Sequence, residues 1–177
     1  MAACAGLRRN ARTMGIAAIC ALLAVDAAAV GRRGQNLPEK GTNMTKRAEG
    51  TFDVKVTPAT VADLAQAAGV GAMSIEKQYR GDLEATGQGE MLHAATEVKG
   101  SGVYVAIEKV SGTLASRRGT FLLQHSGTMR RGEPQLTVTV VPDSGTGELA
   151  GLTGRMNIII ADGKHSYELE YDFEDAH

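Results

Sequence analysis

Short stretches in which apolar and polar residues alternate run through the chain from residue 51 to residue 173. Thr51-Phe52-Asp53-Val54-Lys55-Val56 puts Phe52, Val54 and Val56 on one face, the period of a strand with one buried side. Met73, Ile75 and Tyr79 share a face in a second segment. Leu83 to Ala95 follows, with Gly87 and Gly89 inside it, where glycines allow a strand to bend sharply. The pattern then predicts strands over Val103 to Val110 and Thr120 to Ser126, joined by a turn at Ala115 to Gly119. Further strands are predicted over Leu136 to Val141, Met156 to Ile160 and Ser166 to Phe173, with a short one at Gly147 to Leu149.

One segment departs from this rhythm. Thr57 can cap a helix, Pro58 suits a first helical position, and Ala59 to Ala68 favours helix before Gly69. A short helix or ordered loop is expected there.

The last strand has the clearest pattern. His165, Tyr167, Leu169, Tyr171 and Phe173 fall on one face, and Ser166, Glu168, Glu170, Asp172 and Glu174 on the other. Nothing in the pattern supplies helices to cover a sheet. Short antiparallel strands can instead bury their apolar faces by closing on themselves, which also removes exposed edges. The expected fold is therefore all-β, a single closed antiparallel barrel of about eight strands with one short helix or loop insertion. An open sandwich is the other architecture that fits.

Composition supports turns rather than disorder, since 22 glycines accompany only four prolines. Charge is uneven. Residues 1–43 hold six basic and two acidic side chains, and residues 44–177 hold 13 basic and 18 acidic ones. A domain that acidic would repel phosphates, so nucleic acid is not an expected partner. Both cysteines, Cys4 and Cys20, lie in the first twenty residues. Thiolate metal sites and Cys nucleophiles are thereby excluded from the remainder.

Residues 1–30 run basic (Arg8, Arg9, Arg12), then apolar (Met14 to Val25), then small (Ala27 to Ala29). That order is read as a signal peptide, and the apolar run is too short for a membrane span. A start at Met44, with the upstream stretch not normally translated, is the competing reading. Localisation divides the same way, into periplasmic or secreted against cytoplasmic. Residues 31–49 are read as linker and residues 50–177 as the barrel domain.

Four ordered motifs carry a resemblance. They are Met73-Ser74-Ile75-Glu76-Lys77-Gln78-Tyr79-Arg80-Gly81-Asp82-Leu83-Glu84, Tyr104 to Leu114, Phe121-Leu122-Leu123-Gln124-His125-Ser126-Gly127-Thr128-Met129, and Val140 to Leu152. Together they resemble the bacterial domain-of-unknown-function family 3224, from about Gly50 to the end of the chain. The resemblance implies a barrel like that of plant allene oxide cyclase and the dirigent proteins. Those relatives enclose hydrophobic substrates and steer cyclisation or coupling without a bound cofactor. No motif of the cyclases' catalytic residues is found in this chain, so the implication covers the fold.

Candidate chemistry comes from the residues themselves. His125 shares a face with Phe121 and Leu123, and a buried imidazole with a lowered pKa can act as a base. A core histidine bonded to a carbonyl or to Gln124 is the plainer reading. Glu108 and Glu90 lie within strands and are candidate buried acids. Glu108 shares its parity with Tyr104 and Ala106, opposite Val103, Val105 and Ile107. Both faces are partly apolar, so parity leaves open which one lines the barrel and whether the other is an oligomer interface. Tyr79, Glu90, Tyr104, Gln124, Tyr167 and Tyr171 are candidate ligand contacts, with core filling as the alternative for the tyrosines.

His93, His125, His165 and His177 show no metal-ligand spacing. No Walker motif, nucleophile elbow or dinucleotide fingerprint is present, and no cofactor is implied. The function these readings favour is binding of an apolar small molecule, extending to a cofactor-free isomerase or cyclase with His125 and Glu108 as catalytic groups. The alternative is a non-catalytic binding or structural protein with a packed interior.

Overall fold

The computed structural model describes residues 45–174. The readings made for residues 1–44, including the leader and most of the linker, lie outside the described residues, as does His177. Eight strands form a closed barrel in chain order. They are β1 (Lys46–Ala59), β2 (Val70–Gly81), β3 (Leu83–Ala95), β4 (Gly102–Leu114), β5 (Arg117–Arg130), β6 (Glu133–Val140), β7 (Leu152–Ala161) and β8 (Lys164–Phe173). Every neighbouring pair is antiparallel, and β8 closes on β1 from Lys46↔Tyr171 to Phe52↔His165. The expected closed cylinder is the observed one.

Three local expectations are corrected. The Ala59 to Ala68 helix is only α1 (Asp63–Ala67), because Pro58 and Ala59 continue β1 and pair with Met73 and Ala72. Pro58 is tolerated there because β1 projects beyond β8 after Phe52, so the missing N–H costs no ladder bond on that side. Gly147–Leu149 is a 3-10 turn, not a strand. Gly147 has φ +61, which breaks an extended chain, and the turn plugs Leu149 into the core. Finally, the turn after β4 is only Ala115-Ser116, both at positive φ, so β5 begins at Arg117. Strand β1 itself starts at Lys46, ahead of the first alternating residue.

The interior has two apolar parts. At the end bearing the 3-10 turn, here the base, Leu83, Leu114, Phe121, Leu149, Leu152, Leu169 and Tyr171 pack into one large cluster. At the end bearing α1, here the mouth, a smaller cluster joins Met73, Ile75, Met91, Tyr104 and Ala106, with Val54, Val56 and Leu136 against it.

The wall is uneven too. Strands β4 and β5 pair along their whole length, from Gly102↔Met129 to Leu114↔Arg117. Strands β6 and β7 pair at a single position, Thr139↔Arg155.

Candidate functional site

The inward residues of β2 are Met73, Ile75, Lys77 and Tyr79; those of β4 are Tyr104, Ala106, Glu108 and Val110; those of β5 are Phe121, Leu123 and His125. This settles the parity of β4. The Tyr104–Glu108 face lines the barrel, and Val103, Val105 and Ile107 face outward, 42%, 50% and 52% exposed.

Three ionisable groups meet between the two apolar clusters, with Glu108 0%, His125 3% and Lys77 8% exposed. Lys77 and Glu108 reach each other across β3, since their strand partners there, Gly87 and Gly89, carry no side chain. A Cβ at Gly87 would collide with the Glu108 carboxylate and press on the Tyr79 ring at 3.2 Å.

Glu108 is the hub. Its Oε2 accepts from Lys77 Nζ at 2.7 Å and from His125 Nε2 at 3.0 Å, and its Oε1 accepts from the Tyr79 hydroxyl at 2.8 Å. Lys77 Nζ also donates to the Tyr79 oxygen at 3.2 Å and lies 5.0 Å from the centroid of Phe52, within cation–π range. Each of the four side chains thus has at least one hydrogen-bond partner within the cluster.

The protonation states follow from these contacts. Burial alone would raise the Glu108 carboxyl, but the neighbouring Lys77 charge and the hydrogen bonds from His125 and Lys77 outweigh it and bring Glu108 down to about 2. Burial lowers His125, the hydrogen bond to Glu108 opposes that, and the Lys77 charge lowers it further. Tyr79 is raised well above the ordinary phenol value, by burial first and then by the Glu108 charge. At neutral pH the cluster therefore holds an ionised Glu108, a neutral His125 and a phenolic Tyr79. A neutral imidazole that meets a carboxylate through Nε2 must carry its proton there. Nδ1 is left as the basic nitrogen.

Of the residues singled out from sequence, His125, Glu108 and Tyr79 come together in this cluster. Tyr104 is inward but belongs to the mouth. Tyr167 belongs to the base, where its oxygen accepts from the Leu83 N–H at 2.9 Å and its hydroxyl donates to the Glu49 carbonyl at 3.2 Å. Those bonds tie β8 to the start of β3 and to β1. Tyr171 is buried nearby, edge-on to Phe173 at 5.9 Å.

Glu90 and Gln124 are corrections. Gly89 and Met91 take the inward positions of β3, and Leu123 and His125 those of β5, so both polar side chains point out to solvent. There they flank Ile107 on the outer wall. Lys77 was missed, although it has the parity of Met73, Ile75 and Tyr79; a lysine interrupting an apolar face was the signal. Among the described residues, no group of three or more His, Cys, Asp or Glu could hold a metal ion. No helix there is long and apolar enough to cross a membrane.

Residues 48–171 match a family described as "Protein of unknown function (DUF3224)". Among solved structures, the chain is similar to the crystal structure, at 1.84 Å resolution, of a protein of unknown function from the DUF3224 family of Shewanella oneidensis MR-1. The two share 50% identity with a TM-score of 0.69, over 75% of this chain and 99% of that one. No curated protein matches the chain.

Proposed function

The chain belongs to the DUF3224 family, and from that premise we propose that its barrel binds an apolar small molecule and acts on it as a cofactor-free isomerase or cyclase. The observation that carries the reading is the Lys77–Glu108–His125–Tyr79 cluster, sealed between apolar layers. A buried ion pair is often no more stabilising than apolar residues of the same volume. Its presence in a barrel this small therefore calls for a role beyond stability.

In the proposed reaction apolar side chains on the mouth side of the cluster hold the substrate in one conformation. His125 Nδ1 removes a proton from a carbon made acidic by an adjacent carbonyl or unsaturation. The imidazolium that forms is stabilised through Nε2 by Glu108, itself fixed by Lys77 and Tyr79. Returning the proton to a different atom of the substrate completes an isomerisation in which no group is gained or lost. Glu108 thus orients and charges the base, and His125 moves the proton.

The non-catalytic alternative draws on the packed base, where Phe121, Leu123 and Leu169 leave little exposed surface inside the cylinder. One experiment separates the two. Uncharged lipophilic compounds that raise the melting temperature of the protein are incubated with it in D2O and weighed by mass spectrometry. Enzyme chemistry gives deuterium uptake that His125→Gln abolishes while the thermal shift persists. Stabilisation without uptake by any compound supports the non-catalytic binder, and no stabilisation at all overturns ligand binding.

A further inference from the structure

We infer that the seam between β6 and β7 is where the ligand enters and is held, with the Tyr104 hydroxyl as the donor that grips a neutral oxygen on it. The inference rests on the reading that the barrel binds an apolar molecule, and adds where that molecule sits and what it must carry.

The wall is weakest at this seam. A single pair, Thr139↔Arg155, joins the two strands, and a groove of about 430 Å³ lies along it, a size suited to a small organic ligand. The groove has two kinds of lining. Leu136, Val138 and Met156 come from the inner side, while Arg155 and Glu170, paired at 2.8 Å, stand at the outer lip. A molecule lying here would meet apolar side chains inside and, at a rim that also holds Thr137, Asn157 and Glu168, polar and charged ones.

Tyr104 stands behind the groove wall: it is not among the residues that line the groove, and its register row meets the seam at Leu136. One register row runs Tyr104↔Gly127 and Gly127↔Leu136, from β4 across β5 to β6. The Tyr104 ring leans over Gly127 so closely that a Cβ there would collide with it. Leu136 packs against the same cluster. Tyr104 is 2% exposed, and its hydroxyl is a buried side-chain group without a hydrogen-bond partner among the described residues. Leaving such a group unbonded is destabilising, and Tyr79 and Tyr167 differ in that their hydroxyls are bonded. Burial pushes the Tyr104 phenol up to about 12, so it remains a neutral donor throughout the physiological range. A donor in apolar surroundings selects an acceptor without charge, such as a ketone, ester or ether oxygen, since a carboxylate would be buried unpaired.

Prodan, an uncharged naphthyl ketone whose emission depends on hydrogen bonding to its carbonyl, is a suitable probe. It is titrated into the full chain and into Tyr104→Phe and Leu136→Trp. Saturable, blue-shifted binding is expected for the parent protein. Tyr104→Phe should weaken it about five- to tenfold, the equivalent of one hydrogen bond, and shift the emission further to the blue. Leu136→Trp, which fills the groove, should weaken it more than about tenfold. Tyr104→Phe loses only an unpartnered hydroxyl, so it should fold, and its melting temperature should rise. Unchanged affinity in either variant overturns the inference and leaves the apolar-ligand reading standing. Absence of saturable binding to the parent protein overturns both.

Discussion

The two ends of the barrel interior are built on different terms. At the base, Leu, Phe and Tyr side chains interlock, Leu149 plugs the cylinder, and the Tyr167 hydroxyl is spent on strand ends. At the mouth, two methionines, one isoleucine and one alanine surround a phenol without a hydrogen-bond partner among the described residues, beside a wall joined to its neighbour at one position. Methionine is flexible and fills irregular space. Close packing stabilises one end, and the other is kept adaptable. The ionised cluster marks the boundary. The lesson is that a barrel of eight strands, whose bore is just wide enough to be filled, need not be filled evenly.

The sharpest way to break this comparison is to strip the boundary of one charge. Lys77→Met leaves Glu108 buried without its cation and should cost about 3–5 kcal/mol in urea denaturation. Lys77→Met combined with Glu108→Leu should recover much of that loss, since apolar replacement of a whole pair is often neutral. A double variant as unstable as the single would mean that the cluster, and not just its charge balance, holds the fold.

Cavities test the two ends directly. Leu169→Ala at the base should fall in the upper part of the range of about 2–5 kcal/mol for such truncations, and Met91→Ala at the mouth at or below its lower end. Equal costs would erase the distinction.

Acid should destabilise the protein in two stages. The folded-state value of His125 is lowered, so the unfolded chain binds its proton first. Stability is therefore complete above about 6.5 and falls as pH drops below it. Glu108 is lowered to about 2, so its contribution is present above the ordinary carboxylate value and is lost as pH falls from there towards 2. His125→Gln should shrink the first stage, leaving the share of His165, which burial also lowers, and spare the second. The smallest effect expected is a gain: Tyr104→Phe should raise stability by about 1 kcal/mol, because an unpaired buried hydroxyl is removed.

Much of this was legible before any coordinates, for identifiable reasons. Strand β8 alternates without fault because one side is core and the other solvent, so its parity could be read directly. Strand β4 was ambiguous because Val103, Val105 and Ile107 are apolar yet face outward, and no count of hydrophobic residues tells an exposed apolar stripe from a buried one. Glu108 was therefore visible as a candidate but its burial was not. Lys77 stayed hidden because lysine in an alternating strand is ordinarily an outward residue, and the compensating carboxylate sits 31 positions away. The two-residue turn at Ala115-Ser116 carries none of the Gly or Asn residues that announce positive φ. Pro58 was misread because its tolerance depends on β8 ending short of it, a property of the neighbouring strand.

A neutral His125 whose Nε2–H points at an ionised Glu108 is the state on which the cluster's chemistry depends, and nitrogen NMR of labelled histidine in the full chain reads it directly. At pH 7 the His125 resonances should show a protonated Nε2 and a bare, basic Nδ1, and the midpoint of its protonation should lie below the ordinary imidazole value of 6.5. An imidazolium at pH 7, or a proton on Nδ1 with Nε2 bare, would contradict it.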